Sequence, residues 1–401
     1  MSSTTLQNVS LFDKCRAFTR AEEVKALGLY PYFKAISKAE DTVVVIEGKE
    51  RVMMGSNNYL GLTHHPKVLD ASRKALDRYG SGCTGSRFLN GTLDLHEELE
   101  AKLATFFSKP ACLVFSTGYN ANLGLISGLL GRGDAVFIDK LDHASIVDGA
   151  MMSFGETVRF NHGDLDHLER HLKKHEDKGK LIVVDGVFSM EGNIADVPGL
   201  VRVAQKYGAA LALDDAHATG VLGPKGDGTA AHFGLSDQVD IVVGTFSKSL
   251  ASIGGFIAGP ERVINYLKHH TRPLIFTAAL PPSNTAGVLA ALEVLQDEPE
   301  RRTELWKNTK RLQEGFRSLG FDIGPTQTPI VPVLIGTIDH TLEFWRMVFD
   351  AGVFTNPVVP PAVPPDQCRL RTSLMATHTA DQIDFALETF GKLGKEMGII
   401  S

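Results

Sequence analysis

From about residue 60 onward the chain alternates between two hydrophobic periods. HPKVLDASRKALDRYG, LHEELEAKLATFFS and VPGLVRVAQKYG place apolar residues three and four apart, the spacing of an amphipathic helix, and Gly80 stops the first. Between such segments lie short apolar runs without polar alternation: ACLVFS, DAVFID, KLIVVDGV, AALALDD and DIVVGTF. Runs of this kind suit strands covered on both faces, as in a parallel sheet. The alternation predicts an α/β fold with a large, mostly parallel sheet and a site at the carboxyl ends of its strands.

The two ends of the chain follow other patterns. LFDKCRAFTRAEEVKALG is helical in pattern, and TVVVIEGKERVMMG predicts a β-hairpin around Glu47-Gly48-Lys49. SNTAGVLAALEVLQDEPERRTELWKNTKRLQEGFRSLG predicts one or two long helices, PIVPVLIG and GVFTNPVV later strands, and TADQIDFALETFGKLGKEMG a final helix. The expected division is an N-terminal arm over 1–58, a large domain over 59–285 and a smaller C-terminal α+β domain over 286–401.

Bulk composition narrows the function classes. Of 401 residues, 43% are hydrophobic and 22% charged, an ordinary globular balance. The net charge of −6 comes with both signs spread along the chain, so neither a nucleic-acid groove nor a polybasic membrane patch is expected. Contact with a membrane surface to collect a greasy substrate stays open, because a local apolar mouth leaves no mark on net charge. Cys15, Cys83, Cys112 and Cys368 are far apart and form no CxxC pair, which argues against a disulfide framework or a metal cluster. The first residues lack an apolar signal core and no run is long enough to span a bilayer, so a cytoplasmic protein is expected.

Candidate chemistry falls at the ends of the apolar runs. Ser116, Thr117, Gly118 and Tyr119 follow ACLVF; His143 follows the run AVFID; Ser189 follows VVDGV; Asp214 and His217 close ALALDDAHATG; Lys248 follows DIVVGTF. In an open parallel sheet such ends converge on one crevice. A strand-to-helix loop such as STGYNAN offers N–H groups to a phosphate. A buried aspartate stabilises a protonated pyridine nitrogen, an imidazole stacks on a ring, and a lysine of depressed pKa bonds to a carbonyl. Each residue alone has a commoner role: Asp214 as a helix cap, the histidines as hydrogen-bonded core residues, Lys248 as a surface charge. Taken together those roles require four coincidences at strand ends, and the set instead matches pyridoxal 5′-phosphate.

At this point the residues carry a family resemblance. SNNYLGL, GSRFLNGT, FSTGYNANLG, DHASI, GVFSMEG, DDAHATG, GTFSKS, FTAALPPS and SLMATHT occur in order across nearly the whole chain. The sequence resembles the α-oxoamine synthase family of fold-type I pyridoxal-phosphate enzymes. That resemblance implies a seven-stranded large domain of the aspartate aminotransferase type. It also implies a homodimer. Within the family, Phe246-Ser247-Lys248-Ser249 followed by RPLIFTAALPPS is similar to the bacterial members that condense L-serine with a long-chain acyl-CoA. Some of those members carry an arginine near a proline-rich segment; here NPVVPPAVP has none, and Arg371 in RLRTS is the matching candidate.

By that resemblance Lys248 holds the cofactor covalently and moves protons, Asp214 pairs with the ring nitrogen, and His143 stacks on the ring. His217 and Ser189 face the phenolic oxygen. Ser116, Gly118, Tyr119, Thr245 and Ser247 hold the phosphate end, with Thr277 supplied by a partner subunit. Arg371 takes the amino-acid carboxylate, and Asn58 lies near the acyl-thioester entry. The implied reaction joins L-serine to an acyl-CoA near sixteen carbons, releasing CoA and carbon dioxide. No metal is expected. A relative using glycine or L-alanine, and a catalytically inactive cofactor-binding regulator, are the alternatives; the intact Lys248, Asp214 and His143 count against the second.

Overall fold

The apolar runs assemble into one seven-stranded sheet in the computed structural model, which describes residues 10–401. Its strands are β1 (Ala111–Phe115), β2 (Asp134–Asp139), β3 (Glu156–Phe160), β4 (Gly179–Asp185), β5 (Ala210–Asp214), β6 (Ile241–Thr245) and β7 (Gly255–Gly259). They lie in the order β1-β7-β6-β5-β4-β2-β3. Neighbours from β6 to β3 run parallel, while β7 is antiparallel to both β1 and β6. Successive residues of one run serve two cores. In β2, Val136 and Ile138 join the cluster on one face, and Ala135 and Phe137 join the cluster on the other. Burial on both faces is why these strands show no polar alternation.

Two strands fall outside the five runs singled out above. β3 is an edge strand whose Val158 and Phe160 are buried while Glu156, Thr157 and Arg159 face outward. β7, GFIAG, is wholly buried, but it follows a glycine pair that punctuates the sequence like a turn.

The expected helices form, with boundaries set by local chemistry. Pro66–Tyr79 begins with proline in its first turn and ends at Gly80, whose φ of +80° no other residue adopts readily. The long helical stretch divides at Glu298-Pro299 into Pro282–Asp297 and Glu300–Leu319. The first helical stretch likewise divides, into Asp13–Arg16 and Arg20–Ala26.

The hairpin forms between Val43–Ile46 and Lys49–Met53, with Glu47 and Gly48 both at positive φ, as a two-residue hairpin turn requires. GVFTNPVV is not one strand. Val353–Phe354 pairs parallel with Lys49–Met53, and Asn356–Val358 pairs antiparallel with Cys368–Ser373. The hairpin is therefore stitched to the C-terminal part. Buried Arg51 adds to this seam, donating to the Phe349 carbonyl at 3.0 Å and lying over its ring. No described helix is long and apolar enough to cross a membrane.

Candidate active site

The carboxyl ends of β1, β4, β5 and β6 enclose a cavity of about 320 Å³, lined among others by Gly118, His143, Asp214, His217, Thr245 and Lys248. One end is built from backbone. Thr117 caps the helix Gly118–Leu129 by accepting the Asn120 N–H at 3.0 Å, leaving the first N–H groups of that helix aimed at the cavity. Thr245 and Ser247 place their hydroxyls 2.9 Å apart beside them. Three chain segments meet too closely for side chains: a Cβ on Gly118 would lie 2.7 Å from Thr245 Cβ, and one on Gly255 would lie 2.5 Å from Gly118 Cα. Gly255→Ala is therefore expected to push the helix start out of place, at the roughly 1–3 kcal/mol of an overpacked site. Cofactor affinity should fall by about tenfold or more, read by titrating apoenzyme with pyridoxal phosphate and following absorbance.

The opposite end is acidic. Asp214 and Asp185 are paired in register on adjacent strands and both line the cavity. Asp214 accepts from Asn122 Nδ2 at 2.6 Å and from the Ala216 N–H at 2.9 Å, the bonding of an anchored carboxylate. Asn122 also donates to Ser145 Oγ at 2.9 Å, and Ser145 Oγ lies 2.8 Å from His143 Nδ1. Asp185 accepts the backbone N–H of His143 at 3.0 Å. Burial, then the charges of Asp214 and Asp142, push the Asp185 carboxyl well above its usual range. His143 turns its ring toward the open cavity, and burial lowers its pKa.

Between the two ends stands Lys248. Burial among apolar and backbone groups pushes its ammonium down to about 8, although Asp214 and Asp185 pull the other way. His217 lies 2.7 Å from the Tyr59 hydroxyl, and burial together with the positive charges of Lys248 and Arg371 holds its imidazole neutral. Ser189 also lines the cavity, and its carbonyl accepts from Arg371 Nε at 2.6 Å.

Four of the residues singled out in the sequence do not line this cavity. Arg371 stands one layer behind Ser189. Ser116 spends its hydroxyl on the Ala278 carbonyl. Thr277 is half-buried beside the exposed Phe276, on the outside of its own chain. Asn58 turns inward, accepting the Leu62 N–H at 3.0 Å and donating to Thr63 Oγ1 at 2.9 Å. Its neighbour Asn57 is the one that reaches Arg371, at 3.1 Å. Tyr119 lines the cavity, while its hydroxyl bonds to Asp148.

The residues present fit pyridoxal phosphate. A helix N-terminus and two hydroxyls suit a phosphate, an anchored carboxylate suits a ring nitrogen, and a half-buried lysine of lowered pKa suits an aldehyde. The glycine crossing lets the helix start pack directly against Thr245.

Comparison with known proteins agrees. The model of class I and II aminotransferases matches residues 49–390. The chain belongs to that family. It is 50% identical to a serine palmitoyltransferase from Sphingobacterium spiritivorum over 98% of each chain. It is 42% identical to an 8-amino-7-oxononanoate synthase from Thermoanaerobacter pseudethanolicus over 95% of this chain and 97% of that one. Its fold superposes with a TM-score of 0.94 on a lysine-to-alanine variant of serine palmitoyltransferase from S. paucimobilis, solved with bound PLP and myriocin; identity is 38%, covering 98% of this chain and all of that one. The α-oxoamine synthase resemblance and the fold-type I architecture are both borne out. Pyridoxal 5′-phosphate is the cofactor.

Proposed function

We propose that the protein is a serine palmitoyltransferase, condensing L-serine with a long-chain acyl-CoA to give 3-ketodihydrosphingosine, CoA and carbon dioxide. The observation that carries this reading is Arg371, set beside a lysine-bearing cofactor cavity in a chain half identical to a serine palmitoyltransferase. Arg371 is 5% exposed and has no carboxylate partner among the described residues, whereas Arg369, two positions earlier, pairs with Glu191 at 3.2 Å. Of its five N–H groups, three go to Ser189 O, Ser373 Oγ and Asn57 Oδ1. One N–H remains on each terminal nitrogen, the fork a carboxylate accepts.

When bound, pyridoxal phosphate supplies an aldehyde for the serine amine and a protonated ring that takes up the electron pair left at Cα. Gly118, Tyr119, Thr245 and Ser247 would hold the phosphate end. Asp214 keeps the proton on the ring nitrogen, and Asn122 keeps Asp214 in place. His143 stacks on the ring. Arg371 and Asn57 would take the serine carboxylate, which holds the amino acid in one orientation with its Cα–H toward Lys248. Lys248 Nζ removes that proton, and later returns one to the same carbon after carbon dioxide has left.

Phe276 is 74% exposed and Ile253, at the cavity, 46% exposed; a second copy of the chain would cover both and bring the partner subunit's Thr277 to the phosphate. The active species is thus a homodimer working in the cytoplasm, with residues 59–285 holding the cofactor and residues 286–401 supplying Arg371.

The test is an assay matrix of L-serine, glycine and L-alanine against acyl-CoA of increasing length, read by mass spectrometry. L-serine with a chain near sixteen carbons is expected to give the highest kcat/KM, since a pocket built to bond the hydroxyl leaves a polar group unpaired when alanine binds. If glycine or alanine gives the higher kcat/KM with every acyl-CoA, the serine assignment fails.

A further inference from the structure

Tyr59 does not line the cavity, yet its side chain is wholly buried and its hydroxyl lies 2.7 Å from His217 Nδ1. A phenol has one proton to give. Arg371 beside it can only donate, so the two acceptors within reach are His217 Nδ1 and Asn57 Oδ1, the latter 3.5 Å away and already accepting from Arg371 at 3.1 Å. A contact of 3.5 Å is at the limit of hydrogen bonding, while 2.7 Å is optimal. The proton therefore points at His217. An imidazole that accepts at Nδ1 must carry its own proton at Nε2.

We propose that Tyr59 is a positioning residue that fixes His217 as the Nε2–H tautomer, so that His217 donates into the cavity, to the phenolic oxygen of the cofactor. The inference builds on the placement of His217 at that oxygen and concerns the direction of the proton. Both groups stay neutral in the working range. Burial pushes the Tyr59 phenol up to about 12 against the pull of Arg371, and His217 is held well below its usual pKa. The charged and titratable groups facing the pair are Arg371, Lys248 and His143, and all three oppose a second proton on His217. The backbone of Tyr59 is pinned as well, its carbonyl accepting the Ala376 N–H at 2.7 Å. Nothing in the amino-acid pattern marks this role, because a tyrosine in NNYLGL reads as core.

A donor at the phenolic oxygen stabilises its ionised form, and losing that donor makes the oxygen hold a shared proton more tightly. The visible absorbance of the lysine-bound cofactor, titrated against pH, reads this directly and is independent of which amino acid the enzyme uses. His217→Asn should move the titration midpoint upward. Tyr59→Phe should move it in the same direction, by roughly half a unit or more for one lost hydrogen bond. In the His217→Asn background, Tyr59→Phe should add almost nothing, since its effect runs through His217. Equal shifts from Tyr59→Phe in both backgrounds would overturn the proposal, as would an unmoved midpoint in either single variant.

Discussion

Lys248→Ala is expected to lower turnover by at least about a thousandfold, the combined loss of a covalent anchor and a proton carrier. The physical ground is the ammonium's environment. Lys248 lies just after β6 and lines the cavity, where burial lowers its pKa from 10.5 to about 8. At pH 7.5 about a quarter of the amine is then unprotonated, against about a thousandth for an ordinary lysine. The sign follows. A lysine with a lowered pKa is the reactive free base above about 8 and loses reactivity as pH falls below it. Capture of pyridoxal phosphate by apoenzyme should therefore quicken about tenfold per pH unit up to that value and then level off. Stopped-flow absorbance measures this, and borohydride reduction followed by peptide mapping should place the pyridoxyl group on Lys248. A capture rate still climbing steeply above pH 9, or an adduct on another lysine, would remove the assignment. Lys248→Ala keeps the other cofactor contacts, so loss of turnover with retained binding is the expected pattern.

Sheet and site were legible to different depths, for physical reasons. Strands buried on both faces announce themselves as unbroken apolar runs, and a polar residue at the end of such a run stands out. Asp214 and Lys248 were found that way, and Asp185 ends KLIVVD with the same signal. β3 was missed because an edge strand alternates, and β7 because glycines needed for close approach to Gly118 look like turn residues. Side-chain direction is harder still. Asn57 and Asn58 are chemically identical neighbours, and only the fold decides that one faces Arg371 while the other caps its own turn. Asn122 lies in the helix after the phosphate loop, where the same residue is usually a solvent-facing amide. Its bond to Asp214 joins segments 92 positions apart, a pairing that no local pattern encodes.

Arg371→Ala is expected to raise the KM for L-serine by about a hundredfold or more, the loss of a bidentate, charge-assisted contact. The KM for acyl-CoA should stay within a few-fold, because the role proposed for the guanidinium is to the amino-acid carboxylate alone. The structure supplies the reason for so large an effect. A buried guanidinium without a counter-ion is costly to fold, and Arg371 is held there only by two neutral carbonyl oxygens and one hydroxyl. That cost is recovered when an anion arrives, so the charge serves the ligand rather than the fold. Thermal stability of the variant should accordingly stay close to that of the native protein, unlike Arg87, whose buried bidentate pair with Glu100 is structural. Arg371→Lys keeps the charge but not the planar fork, and it should recover only part of the loss. Steady-state kinetics with serine varied, alongside thermal unfolding, separates the cases. A variant that loses stability and leaves the serine KM unchanged would show that Arg371 holds the Ser189 loop rather than the substrate.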